Sequence, residues 1–167
     1  MGKRRDASAG TPATVLLERA GVTFAVRAYD HDPRAESFGL EAAEALGVEA
    51  ARVFKTLVVD ADGALAVAVV PVDSLLDLKA VARALGAKKA QMADPSAAER
   101  SSGYVVGGIS PLAQKRPLPT VVDSSATTFD TVLVSGGRRG LDLELSPQDL
   151  VQLTSATVSA VAKPVSR

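Results

Sequence analysis

The chain has 167 residues, one histidine, no cysteine, and 19 basic residues balanced by 19 acidic ones. Without cysteine there is no disulfide, no thiolate metal ligand and no cysteine nucleophile, and a zinc site or a Ser-His-Asp triad would have to rest on His31. The length suits one domain that buries about 70% of its unfolded surface.

Residues 1–10 are polar, with Lys3, Arg4, Arg5 and Asp6 and no apolar core of a signal peptide, and are expected to be a disordered tail. Thr11-Pro12 is a cap-plus-proline start for a helix through Leu16, Leu17 and Ala20 that stops at Gly21. Val22 to Tyr29 alternates as a strand, Asp30-His31-Asp32-Pro33 is a turn, and Phe38 to Leu46 is a helix closed by Gly47. Arg52 to Val59 reads as a strand, and Asp62-Gly63 turns it into a second strand over Ala64 to Val70. Asp77 caps a helix over Leu78 to Leu85, Lys88 to Met92 is a short strand, and Asp94-Pro95 opens a helix ending near Ser102-Gly103. Tyr104 to Ile109 is expected to be a strand that runs into a glycine loop. Extended pieces follow at Thr120 to Asp123, Thr131 to Val134 and Gly140 to Leu145, then a helix from Ser146-Pro147 to about Leu153, and a last strand over Thr157 to Val161. Few strands are separated by full crossover helices, so the expected class is α+β, one domain over residues 11–162 with a mixed, largely antiparallel sheet. Residues 163–167 are expected to fray.

Charge is uneven along the chain. Residues 30–62 hold eight acids against Arg34, Arg52 and Lys55. Residues 79–116 hold Lys79, Arg83, Lys88, Lys89, Arg100, Lys115 and Arg116 against Asp94 and Glu99. The second stretch permits a surface that meets phosphates, and equally permits ordinary solvated helix faces. No apolar run approaches the roughly 18 residues of a membrane span, so no membrane partner is expected and the cytoplasm is the expected compartment.

Three places carry candidate chemistry. Lys55 sits inside an apolar strand, where an ammonium either meets an anionic or polar partner or packs its stem and reaches water. Val106-Gly107-Gly108-Ile109-Ser110-Pro111 and Ser135-Gly136-Gly137-Arg138-Arg139-Gly140-Leu141-Asp142 pair glycines that let backbone amides approach an anionic or carbonyl oxygen. A plain hairpin turn is the stronger reading of the second stretch. Neither has phosphate-loop or dinucleotide spacing. His31 between two aspartates reads as a turn residue, no serine sits in a nucleophile elbow, and no carboxylate pair supports glycosidase chemistry. An enzyme with this inventory works by positioning, backbone donors and a lysine.

The sequence resembles the bacterial YbaK family of Cys-tRNA(Pro) deacylases, freestanding relatives of the editing domain inserted in prolyl-tRNA synthetase. The resemblance spans roughly residues 11–162. It is carried by Tyr29-Asp30-His31-Asp32, Phe54-Lys55-Thr56-Leu57, Leu76-Asp77-Leu78-Lys79, Ala84 to Lys89 and Met92 to Pro95. Its strongest pieces are Gly103 to Leu112 and Val134 to Asp142. It implies an α+β fold around a mixed, partly barrel-like sheet, with a pocket for the aminoacylated 3′ end of tRNA and no cofactor or metal. By the resemblance, Lys55 and Gly107 are the catalytic positions. Tyr29, Phe38, Thr56, Gly108, Ile109, Ser110, Ser135 and Asp142 form the pocket.

The implied mechanism is attack of the substrate's own thiol on its ester, with Lys55 holding the terminal adenosine or its phosphate and the amides of Gly107 and Gly108 meeting the oxyanion. The implied partners are aminoacyl-tRNA and prolyl-tRNA synthetase. Editing of another small residue such as alanine or serine, or a non-catalytic tRNA- or synthetase-binding module, are the alternatives. One tension is present. In a regular strand Asp142 points with Glu144, opposite Leu141, Leu143 and Leu145, so a pocket role calls for a sheet edge or a curved strand.

Overall fold

The structure is a computed structural model that describes residues 10–35 and 37–165. The expected tail therefore lies outside the described residues except for Gly10.

Local chemistry sets the elements in order. Helix α1 (Pro12–Ala20) starts where Thr11 Oγ1 accepts the Thr14 amide at 3.2 Å, and it leads into β1 (Phe24–Ala28). Helix α2 (Phe38–Leu46) is capped by Ser37, whose hydroxyl accepts the Leu40 amide at 3.3 Å. Strands β2 (Phe54–Ala61) and β3 (Ala64–Pro71) form the expected hairpin. A short β4 (Ser74–Leu76) precedes α3 (Leu78–Leu85), where the Asp77 carboxylate accepts the Ala80 amide at 3.1 Å. Then come β5 (Ala90–Met92) and α4 (Pro95–Ser102). Pro95 opens α4 as expected, but the Asp94 carboxylate bonds the Ser96 hydroxyl and caps no helix amide. The chain continues through β6 (Thr120–Asp123), β7 (Val132–Arg138) and β8 (Leu141–Leu145). It ends with α5 (Pro147–Thr154), capped by Ser146, then β9 (Thr157–Ser159) and β10 (Ala162–Pro164).

Three sheets result, ordered β5-β2-β3-β6-β9, β1-β8-β7 and β10-β4. Among the described strands only β3–β6 and β6–β9 form parallel ladders. The fold is thus mixed, largely antiparallel α+β, as expected. The barrel-like part does not close: a lone parallel bridge between Val53 and Leu133 joins the start of β2 to β7. The cavity described below opens beside that seam.

Three apolar clusters hold the layers. The largest packs Leu17 of α1 and Leu150 of α5 against Phe54, Val67, Val69, Val132, Val134, Leu143 and Leu145. A second seats α3 through Val81 on Val59, Ala68 and Val70. A third seats α2 through Ala42 and Ala43 on Val53, Val72 and Leu133. Full burial of each Val or Leu contributes about 1.5–3 kcal/mol.

The buried Asp123 carboxylate also ties the C-terminal strands down, accepting the Val161 and Ala162 amides at 2.9 Å each and the Ser125 hydroxyl at 2.5 Å. Burial by itself raises its pKa, but the Ser125 hydroxyl and the two amides outweigh burial and hold it below the ordinary carboxylate range.

Two expectations fail. Tyr104 to Ile109 forms no strand: it is a run of turns fixed by its own polar contacts, among them Tyr104 Oη donating to Leu112 O at 2.7 Å. Residues 162–164 do not fray from 163 onward but pair antiparallel with β4, which sequence reading missed.

Candidate active site

A cavity of about 400 Å³ lies where β2, the start of α2, the β5–α4 junction and the glycine loop converge. Lys55, Thr56, Phe38, Gly107, Tyr29 and Ile109 line it, and the paired Ser135 and buried Asp142 line its deeper part. Eight of the ten sequence-predicted positions therefore meet in one place. Gly108 and Ser110 do not line the cavity and lie buried beneath the loop.

The β2 wall exists because β5 is short. It pairs only with Val59 to Ala61, leaving the preceding residues of β2 as an open sheet edge on the cavity side. Val58 O accepts the Ala93 amide at 3.0 Å, which fixes the alternation: the Lys55 main chain pairs with Val70 of β3, and the Thr56 main chain points into the cavity. Thr56 Oγ1 is buried there without a hydrogen-bond partner among the described residues. Lys55 is partly buried, and burial lowers its pKa from the usual lysine range, with the Asp73 charge opposing.

The glycine loop is built by contacts from elsewhere in the chain. Arg139 Nε and Nη2 donate to Val106 O at 3.0 and 2.6 Å, and its guanidinium carbon lies 4.9 Å from the Phe38 ring centroid. Gly107 has φ +89°, and a Cβ there would stand 2.7 Å from Arg139 Nε and 3.0 Å from the Phe38 ring. A Cβ on Gly108 would stand 2.7 Å from Arg138 Cα, so its missing side chain serves packing of loop on hairpin.

The amides of this loop are not equivalent. The Gly108 N–H donates to Val105 O at 2.8 Å, and the Val106 N–H to Glu99 Oε2 at 2.8 Å. Gly107 N–H has no protein acceptor among the described residues. The expectation of paired Gly107 and Gly108 donors is corrected accordingly: the second amide is spent on its own turn.

Asp142 explains the alternation tension. Strand β8 lies between β1 and β7, so Asp142 is at no sheet edge. Leu143 and Leu145 face the large core, while the other face of β8 is covered by the layer that includes Leu133 and Val53. On that face Glu144 binds Arg27 at 2.5 Å, Arg52 at 2.8 Å and Thr131 at 2.6 Å. Asp142, 6% exposed and opposite Ser135 in the register, is left at the cavity base. Its burial pushes its pKa up to about 7, with Arg27 opposing. Burial, with the Asp142 charge next, pushes the Tyr29 hydroxyl up to about 12.

His31 stays in its turn, outside the cavity. Its Nδ1 lies 2.8 Å from Glu41 Oε1, and Glu41 Oε2 accepts the Asp32 amide at 2.6 Å, which ties this loop to α2. No group of three or more His, Asp or Glu among the described residues could hold a metal. Sequence reasoning missed Arg139 and the open edge at Thr56. Arg139 carried a weak signal as a basic residue in a glycine hairpin; Thr56 was an expected pocket position, but nothing in its neighbours announced the open edge.

A profile of the aminoacyl-tRNA editing domain family matches residues 33–153, which takes in all of the cavity walls except Tyr29. The chain belongs to that family. It is 39% identical over 120 residues to "Putative Cys-tRNA(Pro)/Cys-tRNA(Cys) deacylase EbsC" of Enterococcus faecalis, an alignment covering 71% of this chain and 73% of that one. It is 29% identical over 119 residues to "Uncharacterized protein YwhH" of Bacillus subtilis, covering 71% and 75%. A crystal structure described as a "putative trans-editing enzyme for prolyl tRNA synthetase" superposes with a TM-score of 0.82 at 25% identity, over 96% of this chain and 99% of that one. This editing-domain protein is therefore of the aminoacyl-tRNA deacylase class. No helix among its described residues is long and apolar enough to cross a membrane.

Proposed function

We propose that this editing-domain protein removes cysteine from Cys-tRNA(Pro) by making the substrate attack itself. The observation that supports the reading most is a small, mainly apolar cavity lined by a lysine and a donor-bearing glycine loop and by no histidine. Among the described residues, no hydroxyl lining it hydrogen-bonds a carboxylate or a lysine that could turn it into a nucleophile.

In this reading the cysteinyl sulfur gives up its proton and bonds to its own ester carbonyl carbon. The tetrahedral oxyanion forms beside Gly107 N–H, an amide with no protein acceptor among the described residues. The carbon–oxygen bond to the ribose then breaks, the ribose oxygen takes a proton, and a thiolactone leaves to be hydrolysed in water. Lys55 holds the terminal phosphate or ribose, and the Thr56 main chain on the open sheet edge orients the adenosine. Phe38 and Ile109 exclude water, and Tyr29, Ser135 and Asp142 form the base against which the amino-acid side chain rests. Asp142, titrating near pH 7, is suited to receive the thiol proton. The same aspartate favours a second reading, hydrolysis of Ala- or Ser-tRNA by a water it holds. Prolyl-tRNA synthetase is the partner proposed to deliver the tRNA.

One comparison separates the two readings: deacylation of Cys-, Ser- and 2-aminobutyryl-tRNA(Pro) by the purified protein. The last keeps the bulk of cysteine and lacks its thiol. Seryl and cysteinyl esters are close in size, so shape discriminates by only a few kcal/mol, whereas a thiol near pKa 8.5 is a few per cent ionised at neutral pH. Rapid loss of the cysteinyl ester alone is expected. Comparable cleavage of the 2-aminobutyryl ester rules out substrate attack and leaves the held water.

A further inference from the structure

A second groove, of about 530 Å³, is lined by Leu78, Lys79, Ala82, Arg83, Ala87, Lys88, Lys89 and Ala90. Its floor is aliphatic, and no acidic residue lines it. Lys79 and Arg83 are four apart on α3 and share one helix face, while Lys88 and Lys89 follow the turn that ends that helix. All four side chains are exposed, and none forms a salt bridge among the described residues. Asp62 binds the main chain beside the groove: its two oxygens accept the amides of Lys88 at 2.8 Å and Lys89 at 3.0 Å. That contact holds the backbone of the two lysines in place while their side chains stay free of ion pairs among the described residues.

The groove and the cavity are joined by a single strand. After Lys89 the chain enters β5, and Met92 and Ala93 line the cavity. At roughly 3.3 Å per residue, Lys89 and Ala93 are about 13 Å apart. That is the span of about four nucleotides stacked at roughly 3.4 Å each, the length of the unpaired 3′ end of a tRNA. We propose that this groove is a phosphodiester-binding site that grips the acceptor stem of tRNA while its 3′ end runs along β5 into the cavity. The proposal rests on the editing reading for its direction, since it needs the aminoacyl end to lie at Lys55. Arg100, Lys115 and Arg116 are not part of it: none of the three lines the groove, and the last two follow the far end of α4, where their amides donate to Ser102 O and Ser101 O.

The test uses the variant K79Q/R83Q/K88Q/K89Q, whose changes are all on exposed side chains. Binding of uncharged tRNA is followed by fluorescence anisotropy across 50–200 mM salt. Losing four phosphate contacts should flatten the slope of log affinity against log salt by about 3 to 4, and each single variant by about 1. On aminoacyl-tRNA the quadruple variant should raise KM at least tenfold with kcat unchanged. Cleavage of the cysteinyl ester of adenosine, which reaches only the cavity, should match wild type and so reports intact folding. An unchanged salt slope overturns the proposal, even if binding to acidic vesicles or to another protein falls. Equal loss on tRNA and on the adenosine ester also overturns it. Should the wild-type protein cleave neither ester, the editing reading fails by itself, and the anisotropy slope still decides the groove.

Discussion

Replacing Gly107 with alanine tests whether the glycine loop acts through geometry. The added Cβ meets Arg139 Nε at 2.7 Å and two Phe38 ring carbons at 3.0 Å, so Arg139 must move. Moving it endangers both donations to Val106 O and the stacking on Phe38, which is worth about 0.5–1 kcal/mol at an exposed site. The backbone angle of +89° adds about 1–2 kcal/mol for any residue with a side chain. Stability should fall by about 2–3 kcal/mol, read from urea unfolding. Deacylation should fall by roughly 100-fold or more, because displacing one oxyanion donor costs about that much. Arg139→Ala removes the atom that the new Cβ strikes. In the double variant the steric share should vanish and only the backbone share remain, a coupling of about 1 kcal/mol between two touching residues. Activity within threefold of wild type in folded Gly107→Ala, measured as single-turnover release of cysteine, refutes the donor role. Additive effects of the two substitutions refute the Arg139 contact as the cause.

Further outcomes follow from the other site and core residues. Lys55→Ala should lower kcat/KM by about 10- to 150-fold, the loss of a charge-assisted contact of about 1.5–3 kcal/mol, with the urea midpoint unchanged; wild-type turnover removes Lys55 from the mechanism. Asp142 has its folded pKa pushed up to about 7, so folding favours its protonated form. Its stabilising share is complete below about pH 4 and is lost as pH rises towards 7, and Asp142→Asn should therefore gain stability over wild type at pH 8 and not at pH 4; equal Tm differences at both values contradict the burial argument. Asp123 is displaced the other way, so its share is present above about pH 4 and disappears in acid as the depressed pKa is passed. Asp123→Ala should cost about 3 kcal/mol at pH 7 and free the β9–β10 segment, seen as faster amide exchange at Val161 and Ala162.

Helix ends and the central hairpin were legible because their signals are local. Thr11-Pro12, Asp77 and Ser146-Pro147 each place an oxygen acceptor one turn ahead of a helix amide, and that chemistry needs no neighbours. Alternation failed at Tyr104 to Ile109, where Val105 and Val106 are 53% and 36% exposed and no strand accepts the segment. Strand β4 has three residues, too few for any period to declare itself, and it forms only by pairing with β10. Lys55 and Gly107 stood out as residue types, but the reason that Gly108 cannot serve beside Gly107 is a turn hydrogen bond that only the folded loop displays. The open edge at Thr56 follows from where β5 ends, a fact of sheet assembly and not of the residues at 54–57.

The cavity base joins the two ends of the chain: β1 is laid against β8 along a full five-residue register, and Arg27 reaches Glu144 across 117 positions. Closing so large a loop is entropically expensive and late, because it must wait for the intervening strands to find their order. A chain still emerging from the ribosome has β2, the hairpin and α3 long before it has β8. Until β8 docks, the cavity lacks Asp142, whose burial comes only with the β1–β8–β7 sheet. The cavity base is therefore complete only once β8 has settled between β1 and β7.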